Sequence, residues 1–337
     1  MSVLIDHAGE TCCARDLFDK LSQVKFGLTS RDVVEQSSCF AFQGGKVFTF
    51  NDEIACRSLS PLGLEGAVHG HSLLAILRNL GRKQIEVSQA EGELILSSGG
   101  DRFAIPVQKE IRLPIEKVEA AKAWQPLPKR FVEAVASVLP CVGKDESQYT
   151  FTCVHLHPSY IEAVDSIRGH AARYRFRTKV REPVLIRGSS IGRIVGLSVT
   201  EFSETAAWIH FRNEAGLVFS CRRDAETTIE SIGHLLTGEG RTLTLPSDLA
   251  VPGKRSEEIV AELGKGKLRI DHSTEGQWQS PVSYRGPKAR FTLLAGQLRH
   301  VAETYGNAVI SEDRLTARTD RLTYVVALGR SDDELDG

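Results

Sequence analysis

The stretch GELILSSGGDRFAIP, residues 92–106, shows the pattern on which the chain is built. Polar and apolar residues alternate over 93–97 and again over 102–106, and a Gly-rich turn separates the two segments. Alternation with a period of two is typical of antiparallel strands that bury one face. The stretch therefore predicts a β-hairpin packed on a core.

Further strands and two short amphipathic helices surround this hairpin. Alternation predicts strands over 38–43, 46–50 and 84–88. Apolar residues on one helical face predict helices over 13–24, which would bury Leu17 and Leu21, and over 71–80, which would bury Leu73 and Leu77. The first third of the chain is thus a mixture of antiparallel strands and two short helices.

This order of elements returns twice along the chain. The second pass has predicted helices over 128–139 and 189–197 and strands over 150–156, 160–165, 174–179, 206–211 and 217–221. The third has strands over 241–245, 258–263, 267–272, 277–284 and 290–293, a helix over 295–305, and closing strands over 308–310, 314–319 and 322–328. We therefore predict an α+β chain of three similar domains, 1–120, 121–238 and 239–330, followed by an acidic tail, 331–337.

Composition and charge exclude several classes of protein. The chain is 41% hydrophobic and 25% charged, as in ordinary globular proteins. Its 42 basic and 43 acidic residues nearly cancel, so any nucleic-acid surface must be local. No apolar run approaches the roughly 18 residues of a membrane span, and the first ten residues lack a signal-peptide pattern. We expect a cytoplasmic protein without membrane contact. Its seven cysteines are an odd number without CxxC spacing and indicate neither a disulfide framework nor a zinc site, so we expect reduced thiols.

Several motifs resemble those of the bacterial and phage DNA polymerase III β sliding clamp family. Residues 92–106 are similar to the family's hairpin Leu-x-Ile-x-Ser-Gly-x-Ser-Arg-Phe-x-Leu-Pro. Residues 48–54 (FTFNDEI) resemble its Thr-Asp-Leu-Glu-Ile, and residues 68–80 (VHGHSLLAILRNL) resemble its second helix. Later matches are 163–168 (AVDSIR) with Ala-Thr-Asp-Gly-His-Arg, 183–187 (PVLIR) with Val-Ile-Val-Pro-Arg, and 324–326 (YVV) with Tyr-Val-Val-Met-Pro. The resemblance covers the chain from end to end.

The resemblance implies a fold of three repeated clamp domains, with antiparallel sheets outside and short helices lining a ring around duplex DNA. It implies a head-to-tail homodimer that acts as a processivity factor in DNA replication, tethers a DNA polymerase and is placed on DNA by a clamp loader. Basic helix residues would then contact phosphates without reading sequence. The residues that the resemblance places there are Arg15, Lys20, Lys25, Arg78, Arg82, Lys83, Lys129, Arg130, Arg193 and Arg299.

A second site implied by the resemblance is a pocket for short apolar peptide motifs of polymerases, loaders and repair factors. Motif matching places it at Val164, Ser166, Ile167, Arg168, Gly169, Val325, Val326 and Ala327. The family's Gly-His and Met-Pro are replaced here by Ser166-Ile167 and Ala327-Leu328. These replacements predict a pocket that prefers different peptides.

Two segments depart from the family's pattern. Pro246, Pro252 and Gly253 fall where the family has two or three helical turns, so we expect the third domain to have lost or shortened its first helix. The acidic segment 331–337 replaces the family's apolar ending, and its charge density predicts disorder.

The motif search finds no catalytic constellation, cofactor site or metal site. The chain lacks the GxxxxGK[ST] and HExxH patterns. Asp165 with Arg168 is interpreted as an ion pair or a turn cap. Two histidine pairs fall on one face each, without a third ligand at fitting spacing: His69 with His71, and His155 with His157. We therefore expect a protein that is not an enzyme.

One alternative of a different class stays open. A clamp-like decoy would keep the fold and bind replication peptides without encircling DNA. Retention on closed circular DNA distinguishes the two, because only a ring is held there topologically.

Overall fold

A computed structural model describes residues 7–227, 231–272, 274 and 276–329 of the chain. Its α-helices are α1 (Ala14–Val24), α2 (Gly70–Leu80), α3 (Phe131–Val138), α4 (Gly188–Ile191) and α5 (Ala295–Thr304). The acidic segment 331–337, for which disorder is predicted, lies outside the described residues.

The strands are short and numerous. The first twelve are β1 (His7–Cys13), β2 (Cys39–Gln43), β3 (Lys46–Phe50), β4 (Ile54–Leu59), β5 (Gly66–His69), β6 (Gln84–Ala90), β7 (Glu93–Ser98), β8 (Asp101–Gln108), β9 (Gln125–Pro126), β10 (Cys153–His157), β11 (Tyr160–Asp165) and β12 (His170–Arg175). They are followed by β13 (Val184–Arg187), β14 (Glu201–Glu204), β15 (Trp208–Arg212), β16 (Val218–Arg222), β17 (Arg241–Thr244), β18 (Glu258–Gly264), β19 (Lys267–His272), β20 (Gly276–Pro281), β21 (Ser283–Tyr284), β22 (Ala289–Leu294), β23 (Asn307–Ile310), β24 (Arg314–Arg318) and β25 (Leu322–Ala327).

The chain folds into two compact units. The first comprises the residues up to Lys129 together with Ser189–Asp224, and the second comprises Arg130–Gly188 and the residues from Ala225 onward. The first unit holds one antiparallel sheet in the order β1-β6-β7-β8-β5-β2-β3-β4-β16-β15-β14-β9. The second holds a nine-stranded sheet, β13-β10-β11-β12-β25-β24-β23-β17-β21, and a four-stranded sheet, β20-β19-β18-β22.

The hairpin predicted at 92–106 is confirmed as β7 and β8. Glu93 lies opposite Pro106, and Ser98 lies opposite Asp101. The turn between them is Gly99-Gly100, with φ of +57° and +97°. Side chains other than glycine rarely adopt two successive positive φ angles, so this turn requires the glycine pair.

The two helices of the first unit form where apolar spacing predicts them. Leu17, Leu21 and Val24 of α1 are buried, as are the leucines of α2 at positions 73, 74, 77 and 80. At the start of α2 the His69 side chain accepts the Ser72 amide, and Gly81, which follows the last helical residue, has a φ of +60°. Because α1 and α2 pack against each other and against the sheet, one face of each is left for solvent.

Two predicted elements differ from the structure. The strand predicted over 174–179 lies at His170–Arg175 instead, paired with β11 so that Asp165 is opposite His170. Residues 170–174 are all buried, so no polar–apolar alternation marks this strand in the sequence. The helix predicted over 189–197 is only α4, followed by a 3-10 turn at Gly192–Gly196, where two glycines weaken the α-helix.

A loop occupies the segment for which the sequence predicts a lost or shortened helix. Residues 245–257 are neither helix nor strand. Prolines at positions 246 and 252 lack the amide donors that an α-helix uses, and Gly253 has a φ of +81°.

A buried glutamine anchors the segment that follows β8. The Gln36 side-chain amide donates to Gln108 Oε1 (2.7 Å) and to the Glu110 carbonyl (2.8 Å), and its oxygen accepts the amides of Arg112 and Leu113. All of its hydrogen-bonding capacity is thereby used, as burial requires.

None of the described helices is long and apolar enough to cross a membrane.

One protonatable side chain, His210, is buried in the middle of β15 in the first unit's sheet. His210 Nδ1 lies 2.8 Å from Ser220 Oγ, and its Nε2 lies 3.3 Å from Thr205 Oγ1. Burial lowers the pKa of His210 to about 4. The unfolded chain would therefore bind a proton that the folded chain does not, between the ordinary histidine pKa of about 6.5 and pH 4.

We expect the stability of the protein to fall as the pH is lowered through this window. Replacing His210→Asn should remove roughly 2 kcal/mol of the stability loss between pH 7 and pH 5, since no imidazole would then gain a proton on unfolding. Urea unfolding at the two pH values measures the difference. A variant with the pH dependence of the unchanged protein would show that His210 is protonated as readily when folded as when unfolded.

Candidate functional site

Six of the ten predicted DNA-binding residues lie on α1 and α2 or just after them. The side chains of Arg15 and Lys20 on α1 and of Arg78 on α2 are exposed, and Lys25, Arg82 and Lys83 follow directly after the helices. Acidic residues on the same surface are Asp16 and Asp19 of α1, and Asp19 pairs with Arg15 at 3.0 Å. Lys83 Nζ lies 3.7 Å from Asp101. The surface is therefore basic overall but contains acidic residues.

Four of these cationic groups lie over the aromatic rings of Phe18 and Phe26. The guanidinium groups of Arg15 and Arg78 each lie 5.6 Å from the centre of the Phe18 ring. Lys25 Nζ and the guanidinium of Arg193 lie 6.0 Å and 5.6 Å from the Phe26 ring. Cation–π contacts of this kind orient the charged groups without neutralising them. The first unit thus brings together Arg15, Lys20, Lys25, Arg78, Arg82, Lys83 and Arg193.

The other three candidates lie elsewhere. Lys129 is exposed at the end of the first unit's opening segment. Arg130, in the second unit, contacts Glu133 at 3.5 Å and Tyr174 Oη at 3.4 Å. Arg299 of α5 donates to the carbonyls of residues 251 (2.6 Å) and 253 (2.5 Å). Because its guanidinium holds the loop at 245–257, the prediction that Arg299 contacts phosphates is corrected.

A cavity of about 440 Å³ lies in the second unit, on the face of the nine-stranded sheet opposite α3. Its floor is the row Val164, Ala171 and Val325, which are neighbours across β11, β12 and β25. A short 3-10 segment, Ile232–Leu236, packs over this row and adds Ile232 and Leu235. The cavity is an apolar groove of the size that accepts a few side chains of a peptide.

The turn from β11 to β12 shapes one end of the groove. Asp165 Oδ1 accepts the amides of Ile167 and Arg168 at 3.0 Å each, which confirms the interpretation of Asp165 as a turn cap. Gly169 has a φ of +62°, and a Cβ there would lie 3.1 Å from the Cβ of Ala327. The Ala327 amide donates to the Gly169 carbonyl at 2.6 Å, so the turn and the end of β25 are joined beside the groove.

The structure brings together five of the eight predicted pocket residues. Those lining the groove are Val164, Ser166, Gly169, Val325 and Ala327. Ile167 is 65% exposed and lies at the turn, while Arg168 points its Nε toward Asp165 at 3.8 Å. Val326 is fully buried on the opposite face of β25, because alternate residues of a strand point to opposite sides. Its assignment to the groove is therefore corrected, and a charge at this position would test the core rather than the groove.

Sequence reasoning missed the 3-10 wall of the groove. Arg314 of β24 holds this wall, since its Nη1 donates to the carbonyls of Leu235 (3.0 Å) and His234 (3.3 Å). Its hydrogen bonds to Asp313 lower the pKa of that carboxyl to about 2, so the pair stays ionised. The local signal for this wall consists of the apolar residues Ile232, Leu235 and Leu236.

A buried histidine lies beneath the turn. Burial lowers the pKa of His170 to about 4. Its Nδ1 lies 3.2 Å from Tyr324 Oη, and its Nε2 is 4.0 Å from Asp165 Oδ2. His170 is therefore neutral beneath the turn that the Asp165 side chain caps. In the described part of the chain, no three His, Cys, Asp or Glu side chains converge as metal ligands.

Comparison with solved structures identifies the fold. The chain is similar to the DNA sliding clamp (DNA polymerase III subunit beta) of Bartonella birtlesii bound to griselimycin, with 14% identity, a TM-score of 0.80, and coverage of 96% of this chain and 100% of that chain. It is also similar to the DNA polymerase III β subunit of Thermotoga maritima, with 13% identity and a TM-score of 0.78. The Helicobacter pylori β clamp bound to a DNA ligase peptide has 13% identity and a TM-score of 0.77. Both matches cover 96% of this chain and 100% of the other chain. No family model and no curated protein matches the sequence. The fold is that of the bacterial sliding clamps.

Proposed function

We propose that this protein is a DNA sliding clamp, a cytoplasmic processivity factor that encircles duplex DNA as a head-to-tail homodimer. The observation that supports it most is the full-length similarity to β clamps, in which the matches cover 96% of this chain and 100% of the clamp chains. Three domains, 1–120, 121–238 and 239–330, would be contributed by each chain. In such a ring the topological link replaces affinity, so the protein needs no catalytic group.

The charges of the first unit suit a surface that slides on DNA. Seven cations are balanced in part by Asp16 and Asp19, and four of them rest on aromatic rings. Contacts from such groups to phosphates are weak, dependent on salt and independent of sequence. Strong or base-specific contacts would hold the ring at one place on the duplex.

The apolar groove of the second unit suits the tethering of partners. A DNA polymerase, a clamp loader or a repair protein would insert the apolar side chains of a short peptide between the Val164–Ala171–Val325 row and Leu235. The Helicobacter pylori clamp among the similar structures carries a DNA ligase peptide. Ser166, Ile167 and Ala327 would set a peptide preference of its own for this groove.

The ring is tested by retention on DNA. After loading, the protein should remain on closed circular DNA at salt concentrations that disrupt phosphate contacts and should be lost when the circle is linearised. Sedimentation equilibrium should give a dimer at micromolar concentration. A monomer that binds replication peptides and never remains on circles would establish the decoy instead.

The DNA-facing helices are tested by salt dependence. Replacing Arg78, Arg82 and Lys83 together with alanine should flatten the slope of log affinity against log salt by up to roughly 3, since each phosphate contact releases close to one counterion. Replacement of the exposed Lys46, Lys109 and Lys122, which lie outside these helices, is the matched control. Equal slopes for the two triple variants would place the DNA elsewhere.

The groove is tested with a polymerase C-terminal peptide. The Leu235→Asp change should weaken binding by about 2 kcal/mol or more, because a carboxylate would be desolvated without a partner. The same change at Leu59, which is 71% exposed in the first unit, should leave the affinity unaltered. Unchanged binding by a folded Leu235→Asp variant would exclude this groove as the peptide site.

A further inference from the structure

Two exposed arginines lie side by side at one end of the nine-stranded sheet. The Arg175 amide donates to the Arg321 carbonyl at 2.9 Å, one position beyond the last residue pair of β12 and β25. Residues opposite each other on neighbouring strands lie on the same face, and like charges in such positions repel each other. In the described part of the chain neither arginine forms an ion pair, whereas Arg173 pairs with Glu162 at 2.5 Å. An anion bound between the two arginines would relieve their repulsion.

This arginine pair lies on the sheet face that also holds the groove, but at a distance from it. The neighbouring Tyr174 points to the other face, where its Oη donates to Glu133 of α3 at 2.6 Å. Alternate residues of a strand point to opposite sides, so Arg175 faces away from α3. It is four residues beyond the groove residue Ala171 on β12, a distance of about 13 Å. The pair is therefore a surface separate from the groove.

The chain that follows Arg175 extends the row of cations. Its backbone is fastened to the turn between β10 and β11, because the amides of Phe176 and Thr178 donate to carbonyls of that turn at 3.1 Å and 3.0 Å. The Phe176 ring contacts Phe131 of α3, so the exposed Arg177 lies on the same side as Arg175, about 7 Å further along. Exposed basic residues continue at positions 179 and 181, and the exposed acidic residues nearby are Glu182 and Asp320.

Two stacked rings lie on the other side of Arg175. Tyr160 of β11 is directly opposite Arg175, and His157 of β10 is directly opposite Tyr160. The centres of the two rings are 4.2 Å apart and their planes differ by 9°, and the guanidinium of Arg173 lies 4.1 Å from the centre of the tyrosine ring. Burial lowers the pKa of His157, so its ring is uncharged near pH 7. Both rings are partly exposed, and a flat base can extend such a stack.

We propose that this end of the sheet binds an unpaired nucleic-acid strand, with phosphates on the arginines and a base on the stacked rings. Guanidinium groups bind phosphate through paired hydrogen bonds, and aromatic stacking accepts any base. The row consists of His157, Tyr160, Arg175, Arg177 and Arg321. Binding of the strand rests on these residues alone, while a role in holding an unpaired strand outside the ring rests on the proposed function.

The arginines are tested with a fluorescent oligothymidylate of about 15 nucleotides, whose binding to the full chain is followed by anisotropy. The combined changes Arg175→Ala, Arg177→Ala and Arg321→Ala should weaken binding about 10-fold or more at low salt. They should also flatten the slope of log affinity against log salt by roughly 2, since each phosphate contact to a single strand releases about 0.7 counterion. The matched control places alanine at three exposed basic residues of the same unit, Lys144, Lys267 and Arg285. Equal slopes for the two variants would overturn the proposal.

The stacked rings distinguish a nucleic acid from an acidic peptide. The His157→Ala change should weaken oligothymidylate binding about 5-fold or more, because a base loses its stacking surface, whereas His157→Phe keeps a flat ring and should bind nearly as the unchanged protein does. A labelled glutamate peptide of equal charge should bind about 10-fold more weakly than the oligothymidylate. Peptide binding as tight as DNA binding, or unchanged DNA binding by His157→Ala, would overturn the proposal.

Retention on closed circular DNA separates this surface from the ring. The triple-arginine variant should be retained as the unchanged protein is, since the encircled duplex would face the helices. Loss of retention by this variant would show that the arginines serve the encircled duplex and would overturn a separate site. A protein that is never retained on circles, but binds oligothymidylate through these arginines, would contradict the proposed function and support this surface.

Discussion

Backbone pairing between strands that are far apart in the chain is the interaction on which the structure depends. In the first unit β4 pairs with β16, so that Ile54 lies opposite Cys221 and Arg57 opposite Val218. In the second unit β12 pairs with β25, so that Ala171 lies opposite Val325. Each pairing covers two strand edges that would otherwise expose unpaired amides and carbonyls. Such pairing also brings together residues that are far apart in the sequence. The floor of the groove, made of Val164, Ala171 and Val325, is formed in this way.

The loop at 245–257 is held mainly by side-chain hydrogen bonds to its backbone. Arg299 donates to the carbonyls of Val251 and Gly253, and Glu257 Oε2 accepts the Lys254 amide at 2.7 Å. The backbone groups that helical hydrogen bonds would have used thus find side-chain partners. The consequence is that an arginine expected to contact phosphates has become part of the loop's support, while Lys254 and Arg255 supply exposed charge nearby.

The groove has walls of unequal stability. Its floor consists of sheet residues whose backbone is paired on both sides. Its 3-10 wall, Ile232–Leu236, is held by side chains. Arg173 donates to Ser231 Oγ at 2.7 Å, and Arg314 and Arg318 donate to carbonyls of residues 234–236. A few charge-assisted hydrogen bonds open more readily than a strand pairing. The 3-10 wall is therefore the part of the groove that can adapt to different occupants.

The sequence by itself determined the elements whose signals are local. Period-two alternation marked β7 and β8, apolar spacing marked α1 and α2, and the two prolines marked the loop at 245–257. The position of β12 and the depth of Val326 were decided by tertiary structure, because a strand covered on both faces shows no alternation and its register depends on its partners. The same is true of the 3-10 wall, whose apolar residues line the groove only because they pack on the sheet. Arg299 is the clearest case: its charge is visible in the sequence, but only the folded loop decides which oxygens it meets.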